Sequence, residues 1–190
     1  MALQSLGWAD AKVKLLEAGV KPIYVFDGKP PDLKKEVAEQ RRDVRAEALQ
    51  EWHKALEQKD FEKARKAAQR SSTVTEEIVE GSKELLDALG VPWVQAPSEG
   101  EALCSAMTKK GDVYATSSQD FDVLLFGSPR LVRNLSISGR KKRGSEYVLI
   151  NPEMILLEDV LKNLGINHDQ LIILGILVGT DYNPGGIMGY

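Results

Sequence analysis

The chain of 190 residues is long enough for one α/β domain with a sizeable core and room for an appendage. Its formal net charge of −3 argues against a uniformly basic nucleic-acid binder, but the total hides an asymmetry. Residues 34–70 carry 11 Lys/Arg against 8 Asp/Glu, whereas the rest carries 14 against 20. The single cysteine, Cys104, excludes a disulfide within the chain and fits a reducing compartment; it reads as a packed thiol. No signal peptide is legible and no apolar run approaches the roughly 20 residues of a membrane span. His53 and His168 lie in polar helical surroundings and read as solvated surface residues, which argues against zinc chemistry.

In chain order, residues 8–18 predict a short helix ended by Gly19, and Val20 to Phe26 a buried strand broken by Gly28-Lys29-Pro30-Pro31. Residues 32–58 predict a long charged helix with a narrow apolar stripe through Val44, Ala48, Leu49, Trp52 and Leu56, and a second helix follows over 60–69. So thin a stripe suits an arm projecting from the body. Thr75 to Leu89 predicts an amphipathic helix, Pro92 to Gln95 a strand, and Glu99 to Lys109 a helix opened by Pro97 and Ser98. Asp112 to Ser117 reads as a strand and Phe121 to Leu125 as a helical turn. Leu131 to Ile137 and Glu146 to Ile150 read as a hairpin across the basic loop Ser138 to Ser145, and helices follow over 152–164 and 168–178. The alternation predicts an α/β fold, a largely parallel sheet flanked by helices, from which the two charged helices project as an arm.

Six carboxylates sit at the edges of these apolar segments: Asp27, Glu99, Glu101, Asp120, Asp122 and Asp181. A carboxylate just past a buried strand lies at the rim of a parallel sheet, where open α/β folds place their ligands. If the groups converge, two charges about 4 Å apart repel by roughly 4 kcal/mol at an effective dielectric of 20. Such a nest takes up protons or binds a hard cation, with Mg²⁺ the usual occupant. Each group also has a plainer reading. Ser98-Glu99-Gly100-Glu101 matches a capping box, Asp120 or Asp122 could N-cap the turn through Leu125, Asp27 could be a turn aspartate, and Asp181 could end a helix. The combination carries the specificity.

That combination, with the phrases AGVKPIYVFDGKPPDLKKE, VPWVQAPSEGEA, VYATSSQDFDVLLFGSPRLVRNLSI and LGILVGTDYNPGGI, resembles the flap endonucleases, the structure-specific 5′-nucleases of DNA replication and repair. The wording is closer to archaeal members than to eukaryotic ones and runs from about residue 13 to residue 187. The resemblance implies a PIN-like nuclease core in which the six carboxylates hold two Mg²⁺ ions (Mn²⁺ being possible), directly or through water. It also implies that Lys34 and Arg41, at the base of a helical arch over 32–70, contact the scissile phosphate. Seven residues apart, these two share one helical face. Arg42, Arg45, Arg65, Lys66 and Arg70 are weaker DNA-binding candidates, since i, i+4 acids could absorb them. The cluster Arg140-Lys141-Lys142-Arg143 could touch duplex backbone, or simply solubilise a hairpin tip. Implied chemistry is 5′-flap endonuclease and 5′–3′ exonuclease hydrolysis of DNA phosphodiesters by two ions roughly 4 Å apart.

Against the family pattern, the chain is expected to be an incomplete nuclease domain. It starts after the family's first strand and its metal-binding aspartate, for which Asp10 is no substitute. It stops before the helix-hairpin-helix that grips duplex DNA and the tail that binds the sliding clamp. Loss of a central strand would expose sheet edges. An alternative is therefore a catalytically impaired fragment that only binds nucleic acid or a partner. A phosphatase using Asp120 and Asp122 leaves Glu99, Glu101 and the basic arm without a role.

Overall fold

Helix exits and glycines set where the strands of this protein begin. The computed structural model describes residues 15–71, 74–135, 140–143 and 146–187; the start of the helix expected over 8–18, with Asp10, and the tips of the basic segment lie outside them. Residues 15–17 are helical, and Gly19 leaves that helix at a φ of +78°. The N–H of Val20 still bonds to the Leu15 carbonyl at 2.9 Å, so Val20 belongs to the helix exit and not to the strand. Strand β1 is accordingly only Tyr24–Phe26. It pairs in parallel with β2 (Trp93–Gln95), Phe26 opposite Gln95.

Between these strands lies a helical excursion. A 3₁₀ turn at Asp32–Lys34 leads into α1 (Lys35–Glu57), a tight connection reverses the chain, and α2 (Phe61–Ser71) packs back along it. Only Ala48 of the expected stripe is buried; Val44, Leu49 and Leu56 are exposed. The seam is instead made by Ala48 and Ala55 facing the buried Ala64 and Ala67, small residues that let two charged helices approach closely. Arg70 pairs with Glu51 at 2.7 Å across the same seam. Helix α3 (Glu76–Ala88), N-capped by the Thr75 hydroxyl, then returns the chain to β2.

Helix α4 (Gly100–Lys110) ends at left-handed Gly111, and the Asp112 N–H closes its last turn on the Met107 carbonyl at 3.0 Å. The strand expected from Asp112 is thereby shortened to β3 (Thr116–Ser117). The single turn α5 (Asp122–Leu125) leads to β4 (Arg130–Arg133). The expected hairpin is a different one. β4 runs parallel to β3 and antiparallel to β7 (Glu153–Leu156), while the basic segment is itself a strand, β5 (Arg140–Arg143), paired with β6 (Glu146–Leu149). Residues 153–156 are thus strand and not the first turn of a helix; α6 begins at Leu157 and runs to Leu164. Pairing with β4 seats Ile155 against the core, a tertiary gain that outweighs local helix preference.

Helix α7 (His168–Val178) starts with a full capping box, Asn167 and Gln170 bonding reciprocally. His168, expected in solvent, is half-buried, and its Nε2 donates to the Leu124 carbonyl at 3.0 Å, tying α7 to α5. The main apolar cluster is Val123, Leu124, Leu131 and Leu171, packed by residues of α5, α6, β7 and the loop before α7. A buried polar seam joins α4 to this cluster. The hydroxyls of Thr108 and Thr116 bond at 2.8 Å, Ser128 donates to Thr116 at 3.1 Å, and Ser105 donates to the Val123 carbonyl at 3.3 Å. With its polar groups satisfied, the seam fixes α4 relative to β3 and α5, and so fixes the side chains at their rim.

Candidate active site

Asp27 follows β1 directly, and its side chain turns across the parallel pair to the start of α4. Its Oδ1 accepts the Gly100 N–H at 2.7 Å, while Gln95 Nε2 donates to the Asp27 carbonyl at 2.7 Å. The two chains touch here: a Cβ on Gly28 would lie 2.1 Å from the Ala96 carbonyl oxygen. The expected capping box is absent. Glu99 occupies the N-cap position without a capping bond of its own, and Glu101 turns away to accept from the Ser118 hydroxyl at 2.5 Å. Ser118 Oγ also accepts the Asp120 N–H at 3.0 Å, which links the α4 glutamates to the loop after β3.

All six acidic side chains meet on one concave face. Asp27, Glu99, Glu101, Asp120 and Asp181 line a cleft of about 980 Å³ closed on the far side by Val37, Arg42, Arg45 and Leu49 of α1. Asp120, Asp122 and Asp181 line its continuation, of about 880 Å³, together with Arg45 and Arg70. Mutual charge is felt across the basin. Burial first, and then the charges of Asp120, Asp122 and Asp27, hold the Glu101 carboxyl above the usual range, against the pull of the Ser118 bond. Burial, then Asp181 and Asp120, raise Asp122, with Lys34 opposing.

Lys34 sits in the middle of this charge. Its ammonium pairs closely with Glu99 Oε1, lies 3.7 Å from Asp181 Oδ2 and stands 4.6 Å from the centre of the Tyr182 ring. The Tyr182 hydroxyl donates to the other Glu99 oxygen. Burial and that bond push the Tyr182 phenol up to about 12, so it remains a donor throughout the neutral range. Neither Tyr182 nor Ser118 stood out in the sequence; the available signal was an aromatic and a hydroxyl each within two positions of a candidate carboxylate. Among the described residues, no three acidic, histidine or cysteine groups already close into a ligand shell. The donor chemistry still fits a hard divalent ion, because every one of the six groups offers carboxylate oxygen.

The basic candidates divide. Arg42 and Arg45 are exposed and face the cleft. Arg70 also reaches its rim, though it is paired with Glu51. Lys66 pairs with Glu62 at 3.3 Å, the i, i+4 absorption anticipated for it, and Arg65 is exposed on α2. Arg41 lies in the second turn of α1, and Arg140 to Arg143 form β5; the side chains of these five residues lie outside the described ones. The Cys104 thiol is half-buried and raised, first by burial and then by Glu101 and Asp27, the state of an inert packed thiol.

The XPG I-region matches residues 90–181 and the XPG N-terminal domain matches residues 6–48. Together the two XPG matches cover most of the chain, and the curated relatives it resembles are flap endonucleases. It is 56% identical over 179 residues to flap endonuclease 1 of Pyrococcus furiosus, covering 93% of this chain and 53% of that protein. Its fold is similar to flap endonuclease-1 from Methanococcus jannaschii, with a TM-score of 0.67 and 46% identity over 98% of this chain and 56% of that one. It is similar also to the catalytic core of Rad2 in complex with DNA substrate, with a TM-score of 0.65 and 30% identity over 95% of this chain and 47% of that one. The chain spans about half the length of the curated relatives it matches. No helix among the described residues is long and apolar enough to cross a membrane.

Proposed function

We propose that this chain carries the catalytic face of a divalent-metal-dependent, structure-specific 5′-nuclease that hydrolyses DNA phosphodiesters at 5′ flaps, in the cytoplasm and in the service of replication and repair. The observation that carries the reading is the convergence of Asp27, Glu99, Glu101, Asp120, Asp122 and Asp181 on one basin with Lys34 at its centre. These six residues would hold two Mg²⁺ ions, or Mn²⁺, directly or through water. When bound, the ions supply a water acidified for attack and charge to stabilise the attacking and leaving oxygens.

The protein's own groups do the remainder. Asp27 stays aimed by the Gly100 N–H, and Glu101 by Ser118, so the acidic oxygens are presented in fixed directions. Lys34, and Arg41 two turns further on, are assigned to the scissile phosphate, where their charge would offset that developing on the phosphoryl oxygens. The α1–α2 pair is assigned the role of an arch over the 5′ single strand, with Arg42 and Arg45 toward the cleft and Arg65, Lys66 and Arg70 as further backbone contacts. The β5–β6 ribbon, with Arg140, Lys141, Lys142 and Arg143, is assigned to duplex backbone.

Mg²⁺-dependent cleavage of a 5′-flap substrate by the 190-residue chain, with Asp122→Ala as control, tests the reading. Cleavage that disappears in the control and in EDTA supports it. Flap binding without cleavage would favour the second reading, a binding-only segment. The specific support for that reading is the acidic basin closed by its own lysine.

A further inference from the structure

The loop after α7 is held more firmly than a solvent-exposed turn requires. Asn183 Oδ1 accepts from both the backbone N–H and the hydroxyl of Thr180, at 3.1 and 2.8 Å, and its Nδ2 donates to the Ile176 carbonyl at 2.6 Å. The Tyr182 N–H bonds to the same Thr180 hydroxyl at 3.1 Å. Beyond the turn, Gly186 passes so close to the end of α7 that a Cβ there would meet the Leu177 carbonyl oxygen at 2.1 Å. These contacts fix the direction of one side chain, the Tyr182 ring. Its edge and its face then meet two different groups: the hydroxyl donates to Glu99, and the ring face lies 4.6 Å from the Lys34 ammonium.

We propose that Tyr182 is a positioning residue of this site, its hydroxyl orienting the Glu99 carboxylate and its ring seating the Lys34 ammonium, so that one side chain sets both an acidic ligand and the cation meant for the phosphate. The inference rests on the nuclease reading of the basin. The physical ground is that Glu99 and Lys34 reach the basin from separate segments, the start of α4 and the turn before α1, with no backbone connection to hold them in register. Lysine is a flexible point charge whose direction must be supplied by its surroundings. An aromatic face supplies it by attracting the cation, and a hydroxyl on the same ring supplies the carboxylate's orientation.

Two measurements on the whole chain test this, one without metal. Lysines are reductively methylated with ¹³C-formaldehyde, and the Lys34 signal is identified by its absence in Lys34→Arg. Seated over the ring, that signal is displaced upfield relative to exposed lysines. Tyr182→Phe should keep the displacement and Tyr182→Leu abolish it, with both variants folded by circular dichroism. In the second measurement, Mn²⁺ binding is followed by electron paramagnetic resonance in the absence of DNA. Tyr182→Phe should weaken it about tenfold, the usual effect of removing a group that orients a ligand. A Lys34 signal indifferent to Tyr182→Leu, or Mn²⁺ binding unchanged in Tyr182→Phe, overturns the proposal. Absence of Mn²⁺ binding by the unsubstituted chain would instead overturn the metal reading of the basin, while the methyl signal still decides whether the ring seats Lys34.

Discussion

The Asp27 carboxylate caps a helix that begins 73 residues away, accepting the Gly100 N–H at 2.7 Å. One side chain thereby performs two tasks: it satisfies an orphan donor at the positive end of α4, and it contributes charge to the acidic basin. The tasks separate by substitution. Asp27→Asn keeps an acceptor oxygen and should leave stability within about 0.5 kcal/mol, whereas Asp27→Ala should cost about 1 kcal/mol as a lost cap. Flap cleavage should fall in both. Paired thermal melts and cleavage assays check this; equal stability losses in the two variants would deny the capping role.

Gly28 is where β1 leaves the sheet against the backbone of Ala96 and Pro97. Gly28→Ala places a Cβ 2.1 Å from the Ala96 oxygen, and neither backbone has freedom to move without displacing Asp27. Overpacking of this kind costs about 1–3 kcal/mol. Urea denaturation should show a lowered midpoint with an unchanged slope, and cleavage should decline along with it.

Glu101 and Asp122 give the metal-free protein a pH dependence whose sign is fixed. Both carboxyls are raised in the folded state above their ordinary values of 4.5 and 3.8. Groups raised on folding contribute stability that is full below the unfolded values and is lost as pH climbs through the folded ones. At neutral pH their charge therefore works against the fold. In EDTA, Glu101→Gln with Asp122→Asn should melt higher than the unsubstituted chain at pH 7.5, and the difference should close as pH falls toward about 4. A difference that widens on acidification would contradict the stated origin of the shifts.

Lys34 is the counter-charge already present in the basin, paired with Glu99 and near Asp181. Removing it leaves carboxylates uncompensated, so Lys34→Ala should destabilise the metal-free chain while tightening its hold on Mn²⁺, read by calorimetry. Cleavage should nonetheless fall about 10²- to 10³-fold, the range for losing one preorganised charge contact to a transition state. Weaker Mn²⁺ binding in this variant would place Lys34 on the side of metal retention instead of opposing it.

The local record of the chain was legible where physics is local. The helix from Thr75, the glycine exit at Gly19, the helix pair over 32–58 and 60–69 and the helix over 168–178 all follow from residues within a few positions of one another. The six acidic positions were visible too, because each stands at the edge of an apolar run. Other assignments needed the third dimension. Whether Ser98 and Glu101 form a capping box depended on Ser118 and Asp27, which compete for the same groups from distant segments. Glu153–Leu156 became strand because β4 offered a partner and a core, and the basic run became a strand against β6. Tyr182 acquired a role only when the turn after α7 brought it to Glu99 and Lys34. Propensity and capping act over a few residues and can be read along the chain, whereas competition among partners for one donor or one charge is decided only when the whole polypeptide has closed.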